Sequence, residues 1–223
     1  QRHIEHMHLV VPRADFARIV AAPDGQDRPY LVYLQGGPGS EAPHSVGPDS
    51  PPWLARALRE HRVIMLDQRG TGRSHRIDAL SPAAERTATH LALLRQDNIV
   101  RDAERLREHL GLEKWSLFGQ SFGGFCITAY LSQAPERVEH AFFTGGIPTL
   151  KGADELYRAT FSKLKARQQR FYREFPWAQG RIEEIISHLD NSDERLPTGE
   201  RLSALRFRTI GIELGRGTGF DSL

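Results

Sequence analysis

Apolar residues fall in short unbroken runs separated by stretches with helical periodicity. Tyr30-Leu31-Val32-Tyr33-Leu34 and Val63-Ile64-Met65-Leu66 are two such runs; Trp115-Ser116-Leu117-Phe118 and Ala141-Phe142-Phe143 are two more. Each has strand length and none alternates cleanly, which predicts strands buried on both faces, as in a parallel sheet. Ile99, Val100, Ala103, Leu106 and Leu110 share one helical face, with Asp97 or Asn98 placed to cap the start and Gly111 to close the end. Phe122 to Gln133 reads as a further helix, stopped by Pro135. Strands alternating with helices predict an α/β fold with a mostly parallel sheet.

After Thr149 the strand pattern stops. Asp154 to Phe175 reads as one long helix with Tyr157, Phe161, Leu164, Phe171 and Phe175 on a stripe, ended by Pro176. Ile182, Ile185, Ile186 and Leu189 mark another helix, and Leu202 to Leu214 offers a third. Residues 1–150 are therefore expected to form an α/β base and residues 151–223 a helical insertion or cap. At the N-terminus, Val10-Val11-Pro12 runs quickly into Phe16-Ala17-Arg18, a loose pattern that suggests missing segments. The stretch from Gly215 to Leu223 reads as a loop entering a new helix, so further chain, and further strands, are expected beyond it.

Composition narrows the classes. The 223 residues carry 30 Lys and Arg against 28 Asp and Glu, a formal +2 that is evenly mixed and does not point to nucleic acid. An apolar fraction of 39% is too high for disorder. No run approaches the roughly 18 apolar residues of a membrane helix. The single cysteine, Cys126, excludes an internal disulfide framework and a multi-cysteine metal site. It fits a reducing, cytoplasmic setting and also tolerates export. The chain opens on Gln1 without a basic-then-apolar leader, so either the start is processed or leading residues lie outside it.

Gly119-Gln120-Ser121-Phe122-Gly123-Gly124 stands directly between a strand run and a helix. A G-x-S-x-G turn in that context is a nucleophile elbow, which holds the Ser121 hydroxyl out at the end of the sheet, over the positive end of the next helix. An ordinary serine in a glycine-rich turn is the alternative. Gln35-Gly36-Gly37-Pro38-Gly39 follows the first strand run. Acyl transfer develops an oxyanion that needs prepared backbone N–H donors. Gly36 or Gly37 would supply one donor and Phe122 the other; the alternative is a plain strand-ending turn. Asp67-Gln68-Arg69-Gly70-Thr71-Gly72-Arg73-Ser74 fits neither a Walker loop nor a dinucleotide fingerprint. Asp67 and the two arginines read as structural, tying the loop beside the pocket.

The three motifs, in this order, resemble those of the prolyl aminopeptidases (proline iminopeptidases), serine peptidases of the α/β-hydrolase fold. Asp97-Asn98-Ile99-Val100-Arg101-Asp102-Ala103-Glu104, Pro135-Glu136-Arg137-Val138 and Thr144-Gly145-Gly146 are similar to segments flanking that family's nucleophile strand. Gln35, where other members have His, matches the longer branch with a large helical cap. The resemblance covers residues 30–150 well and the helical part more loosely. It implies Ser121 as nucleophile, backbone N–H groups near Gly36 and of Phe122 as the oxyanion hole, and Gln35 and Gly36 beside the substrate. It also implies a peptide substrate with a free N-terminal proline, whose ammonium is held by acidic cap side chains, and no metal or organic cofactor. Glu183, Glu184, Asp190, Glu200 and Glu213 lie in the expected cap; for each, a solvated helix face is the better reading.

A serine hydrolase also needs a histidine base and an acid, and in this fold they follow the serine. After Ser121 the histidines are His140, at the wrong end of its strand, and His188, in mid-helix. The acid and base are therefore expected to lie outside this chain. His44 reads as a loop residue. Cys126 reads as a small buried residue whose modification by a bulky thiol reagent could block the pocket. Lys163, Lys165, Arg167, Arg170 and Arg173 read as a solvated helix face. A carboxylesterase or tripeptide-releasing peptidase on the same scaffold is the enzymatic alternative. A hydrolase-like binding module without a complete catalytic set is the other.

Overall fold

The unbroken aliphatic runs become the middle of a sheet because both of its faces are covered. The computed structural model describes residues 5–11, 15–44, 50–215 and 219–223. The strands are β1 (Glu5–Val11), β2 (Asp15–Ala21), β3 (Tyr30–Leu34), β4 (Arg62–Asp67), β5 (Trp115–Gln120) and β6 (Val138–Thr144), in the order β1-β2-β4-β3-β5-β6. β4, β3, β5 and β6 run parallel, while β1 and β2 form an antiparallel pair with β2 antiparallel to β4. The N-terminal pair was not legible as strands. Arg18 breaks the apolar run of β2, yet its side chain is buried and donates to the carbonyls of Ala42 (3.2 Å) and Pro43 (2.7 Å). A buried arginine that bonds to backbone carbonyls looks in sequence like a surface residue.

The helices are α1 (Pro52–Ala57), α2 (Ala88–Ala92), α3 (Gln96–His109), α4 (Phe122–Gln133), α5 (Ala153–Glu174), α6 (Trp177–Asp190), α7 (Ala204–Arg208) and α8 (Gly219–Ser222). The expected side-chain cap on α3 is not made: Arg95 occupies the cap position and Asp97 lies in the first turn. Gly111 does close that helix, at φ +67°. One core cluster packs Ile99, Val100 and Leu106 of α3 with Ile127 and Tyr130 of α4 against the sheet. The other face buries Tyr33, Leu54, Val63 and Met65. β6 departs from expectation. It is paired with β5 and has only half-buried and exposed positions, with Phe142 46% exposed.

A polar network ties α3 to α4. Glu104 accepts from Arg107 at 2.9 and 2.7 Å and from the Tyr130 hydroxyl, which in turn accepts from Trp115 Nε1 at 2.9 Å. Burial alone pushes the Glu104 carboxyl up; the hydrogen bonds from Arg107 and Tyr130 outweigh it and hold the group below its ordinary value. A carboxylate held low in the folded state stabilises the fold above its unfolded pKa. That contribution is lost as pH falls through the lower folded value. Glu104→Gln is therefore expected to narrow the difference in urea midpoint between about pH 7 and about pH 3. An unchanged difference would show that this carboxylate contributes nothing to acid sensitivity.

The chain divides into two compact units, Gln1–Pro148 and Thr149–Leu223. The second is helical apart from an isolated bridge between Arg195 and Arg201. Its core packs Phe171, Ala178 and Leu214 with Phe175 and Phe220. The predicted α5 stripe is only half used: Phe171 is buried, whereas Tyr157 and Phe161 are 72% and 67% exposed. The segment from Leu202 to Leu214 forms the short α7 followed by a 3-10 stretch, Thr209–Gly215, rather than one helix. Among the described residues no helix is long and apolar enough to cross a membrane.

Candidate active site

Ser121 occupies the one-residue joint between β5 and α4, at φ +53° and ψ −115°. A side chain at positive φ is strained by its own backbone, and here the strain accompanies the predicted turn. The motif glycines have steric reasons. A Cβ on Gly119 would lie 2.4 Å from the Gly123 carbonyl oxygen, and one on Gly123 would lie 1.9 Å from that of Leu34. The helix thus starts pressed against the ends of β5 and β3. Ser121 is exposed, and its N–H donates to the Thr144 carbonyl of β6 at 2.9 Å. Its own amide is therefore engaged. Phe122, the first residue of α4, has no carbonyl one turn back for its N–H to reach.

The oxyanion-loop candidates meet this joint. Gly36 is buried, and a Cβ there would lie 2.8 Å from the Gln120 carbonyl oxygen and 2.9 Å from Ser121 Cβ. The structure therefore brings Gly36 and Ser121 together across the β3–β5 boundary. Gly37 is exposed and adopts φ +123°. Gln35 is half-buried; its side chain accepts from the Tyr33 hydroxyl at 2.5 Å and its carbonyl accepts from Gln68 Nε2 at 3.1 Å. The arrangement offers an exposed hydroxyl, a helix N-terminus behind it and glycine backbone beside it. Those are the parts acyl transfer needs apart from a proton acceptor.

The Asp67 loop braces this set. The fully buried Asp67 carboxylate accepts from the N–H of Ala42 at 3.1 Å with one oxygen and from that of Arg73 at 3.0 Å with the other. Ser74 Oγ donates to the Asp67 carbonyl at 2.5 Å and accepts from the Phe16 N–H at 2.7 Å. Arg69 forms a two-pronged pair with Asp102 of α3, at 2.6 and 2.5 Å. Arg18 holds the far side of the segment through Ala42, Pro43 and the His44 carbonyl (3.4 Å). Burial pushes the Arg18 guanidinium down from its ordinary value while Asp67 opposes that shift. Arg18, Asp102 and Tyr33 carry no functional signal in the sequence, because the partners that tie them into this site, Ala42 and Pro43, Arg69 and Gln120, lie 24 to 87 residues away.

The other candidates have surroundings of their own. His140 sits four residues before Thr144 in β6, its ring stacked on Phe142 at 6.1 Å. His188 pairs with Glu194 at 3.0 Å within the helical unit. His75 pairs with Glu85 at 3.1 Å. Among the described residues no histidine hydrogen-bonds to Ser121. Glu183 accepts from Gln179 at 3.0 Å, Glu184 pairs with Arg181 at 3.0 Å and Glu200 with Arg206 at 3.2 Å, all exposed. Asp190 is exposed at the end of α6, and Glu213 is half-buried in the 3-10 stretch. In the basic run, Arg170 pairs with Glu174 at 2.6 Å and, like Arg167, lies over the Phe220 ring. Cys126 is completely buried, and burial pushes its thiol up to about 12. A thiol reagent does not reach it in the folded chain, so the blocking expected from sequence does not follow. Among the described residues no cluster of metal-ligating side chains forms.

The α/β-hydrolase fold family matches over residues 29–218. The chain is 42% identical to a proline iminopeptidase of Aeromonas sobria, over 93% of its own length and 50% of the relative. It is 35% identical to one of Aspergillus aculeatus, over 89% of its length and 46% of the relative. The chain thus spans about half the length of these curated relatives. Among solved structures, a proline iminopeptidase-related protein of Thermus thermophilus is similar at 27% identity and TM-score 0.43, over 63% of this chain and 44% of that one.

Proposed function

The chain belongs to the proline iminopeptidase family of α/β hydrolases, and on that footing we propose that it carries the nucleophile of a serine aminopeptidase releasing N-terminal proline from peptides. The observation that supports this best is the strained, exposed Ser121 with the Gly36 backbone against it. In this reading Ser121 Oγ attacks the carbonyl carbon of the first residue and its proton passes to a general base. The carbonyl oxygen becomes an oxyanion held by backbone N–H groups of the Gly36–Gly37 loop and of Phe122. The C–N bond then breaks, the leaving amine takes the proton from the base, and water hydrolyses the acyl-enzyme.

The base and its orienting acid are assigned to chain outside the described residues, since among these no histidine hydrogen-bonds to Ser121. The helical unit is assigned the role of cap, with carboxylates that hold the substrate ammonium; the exposed, mostly paired acids of α6 and its neighbours do not single out which. A cation in a closed pocket needs a desolvated anionic partner. A cytoplasmic setting is part of the same proposal, on the lone buried thiol. No step calls for a metal or organic cofactor.

The free amine distinguishes this reading from an esterase on the same scaffold. With the full-length protein, a proline amide is expected to be cleaved at least about 100-fold faster than its N-acetylated form, because acetylation removes the charge that the site recognises. Equal rates on the two would point to a carboxylesterase. If neither is cleaved and a fluorophosphonate probe leaves Ser121 unlabelled, the chain is a hydrolase-like binding module.

A further inference from the structure

The β3–β5 ladder ends at the pair Leu34–Gly119, one residue short of Gln35 and Gln120. Beyond that point the two strand ends carry the candidate oxyanion donors with no further backbone pairing between them. What joins them is a side chain from below. Tyr33, Gln35, Phe118 and Gln120 share one face of the sheet, by the two-residue period of strands and the register Tyr33–Phe118. The Tyr33 ring is buried between Trp53, at a centroid distance of 4.6 Å, and Phe118, at 5.5 Å. Its hydroxyl lies 2.5 Å from Gln35 Oε1 and 2.9 Å from Gln120 Oε1. A phenol has one proton, so it donates to one amide and accepts from the other; half a turn of the Gln120 amide presents its NH₂. Gln35 immediately precedes Gly36, and Gln120 immediately precedes Ser121 and Phe122.

We propose that Tyr33 is a positioning residue that, through the Gln35 and Gln120 side chains, sets the spacing between the two halves of the oxyanion hole. The proposal rests on the reading of Ser121 as nucleophile. The caged ring fixes where the hydroxyl stands, and the hydroxyl fixes both residues that lead into the donors. Gln68 holds the Gln35 carbonyl from the other side, so the first half of the cradle is held at two points. The Tyr33 hydroxyl, pushed up to about 12 by burial, stays protonated across the working range and keeps this tie independent of pH.

The test uses the full-length protein and a p-nitrophenyl ester, so that its readout does not depend on a preference for proline. Tyr33→Phe keeps the ring cage and removes only the tie. Its kcat is expected to fall about 30-fold with KM within about two-fold, below the cost of deleting an oxyanion donor outright. A boronic acid that forms a tetrahedral adduct on the serine should weaken in parallel, whereas the thermal midpoint should hold nearly constant. Gln120→Leu should behave similarly, and the double variant should be no worse than the worse single one, because both cut the same link. A kcat unchanged in Tyr33→Phe, or single effects that multiply in the double variant, would overturn the inference while leaving Ser121 as nucleophile. Failure of the parent protein to be acylated at Ser121 would instead overturn the reading on which the inference rests.

Discussion

Replacing Ser121 by alanine in the full-length protein is expected to lower kcat on a proline amide by about 10⁶-fold, the scale on which serine nucleophiles fail. Ser121 Oγ is the only atom removed, and the residue is exposed, so packing is unaffected and the thermal midpoint should not move. The positive φ remains, because alanine tolerates it no better than serine. What survives is the catalysis that an oxyanion cradle and substrate binding supply without a nucleophile, about 10³ to 10⁴ over water. The measurement is steady-state hydrolysis of the amide together with labelling by a fluorophosphonate, which must disappear. A loss of only a few-fold, with labelling retained elsewhere, would remove Ser121 from the chemistry.

Gly123→Ala is the second large effect, and it acts on the fold as well as on the rate. The added methyl would lie 1.9 Å from the carbonyl oxygen of Leu34, the last ladder residue of β3. A flexible side chain could move aside; a strand backbone hydrogen-bonded on both edges cannot do so cheaply. Overpacking of this kind costs about 3 kcal/mol, the upper end of the usual range. The compensating shift also drags Gln35 and Gly36 away from Ser121. Acylation should therefore fall about 100-fold even in the folded fraction, as ångström-scale misplacement of reacting groups does. Gly180→Ala serves as the control: in α6 a Cβ meets nothing within 4 Å, and alanine is the better helix former by about 0.5 to 1 kcal/mol. If both variants melt together with the parent, the close approach of α4 to β3 does not matter.

Much of the base is legible in the sequence, because the relevant signals are local. The strands β3, β4 and β5 are runs of apolar residues in consecutive positions, and α3 and α4 show period and stop signals within a dozen residues. The elbow was legible because its glycines, its serine and the strand and helix signals on either side stand within a few positions of one another. What was not legible depends on partners distant in the chain. β2 hides behind Arg18, whose carbonyl partners lie 24 to 26 residues on. The Tyr33 tie to Gln120 spans 87 residues. β6 has the composition of a buried strand, yet its faces are partly exposed, so its composition misleads about its surroundings. The same holds for the aromatic stripe of α5, of which the N-terminal half finds no cover within the helical unit.

The left-handed turn at Ser121 has a consequence for how such a protein ages in evolution. A residue held at φ +53° stores energy that unfolding releases, so the position most useful for reactivity is also a standing drain on robustness. Glycine would sit there at ease, and selection for endurance alone would favour it. Lineages in which the activity is no longer required should lose their hydroxyl at this point early, becoming hardier as they fall silent.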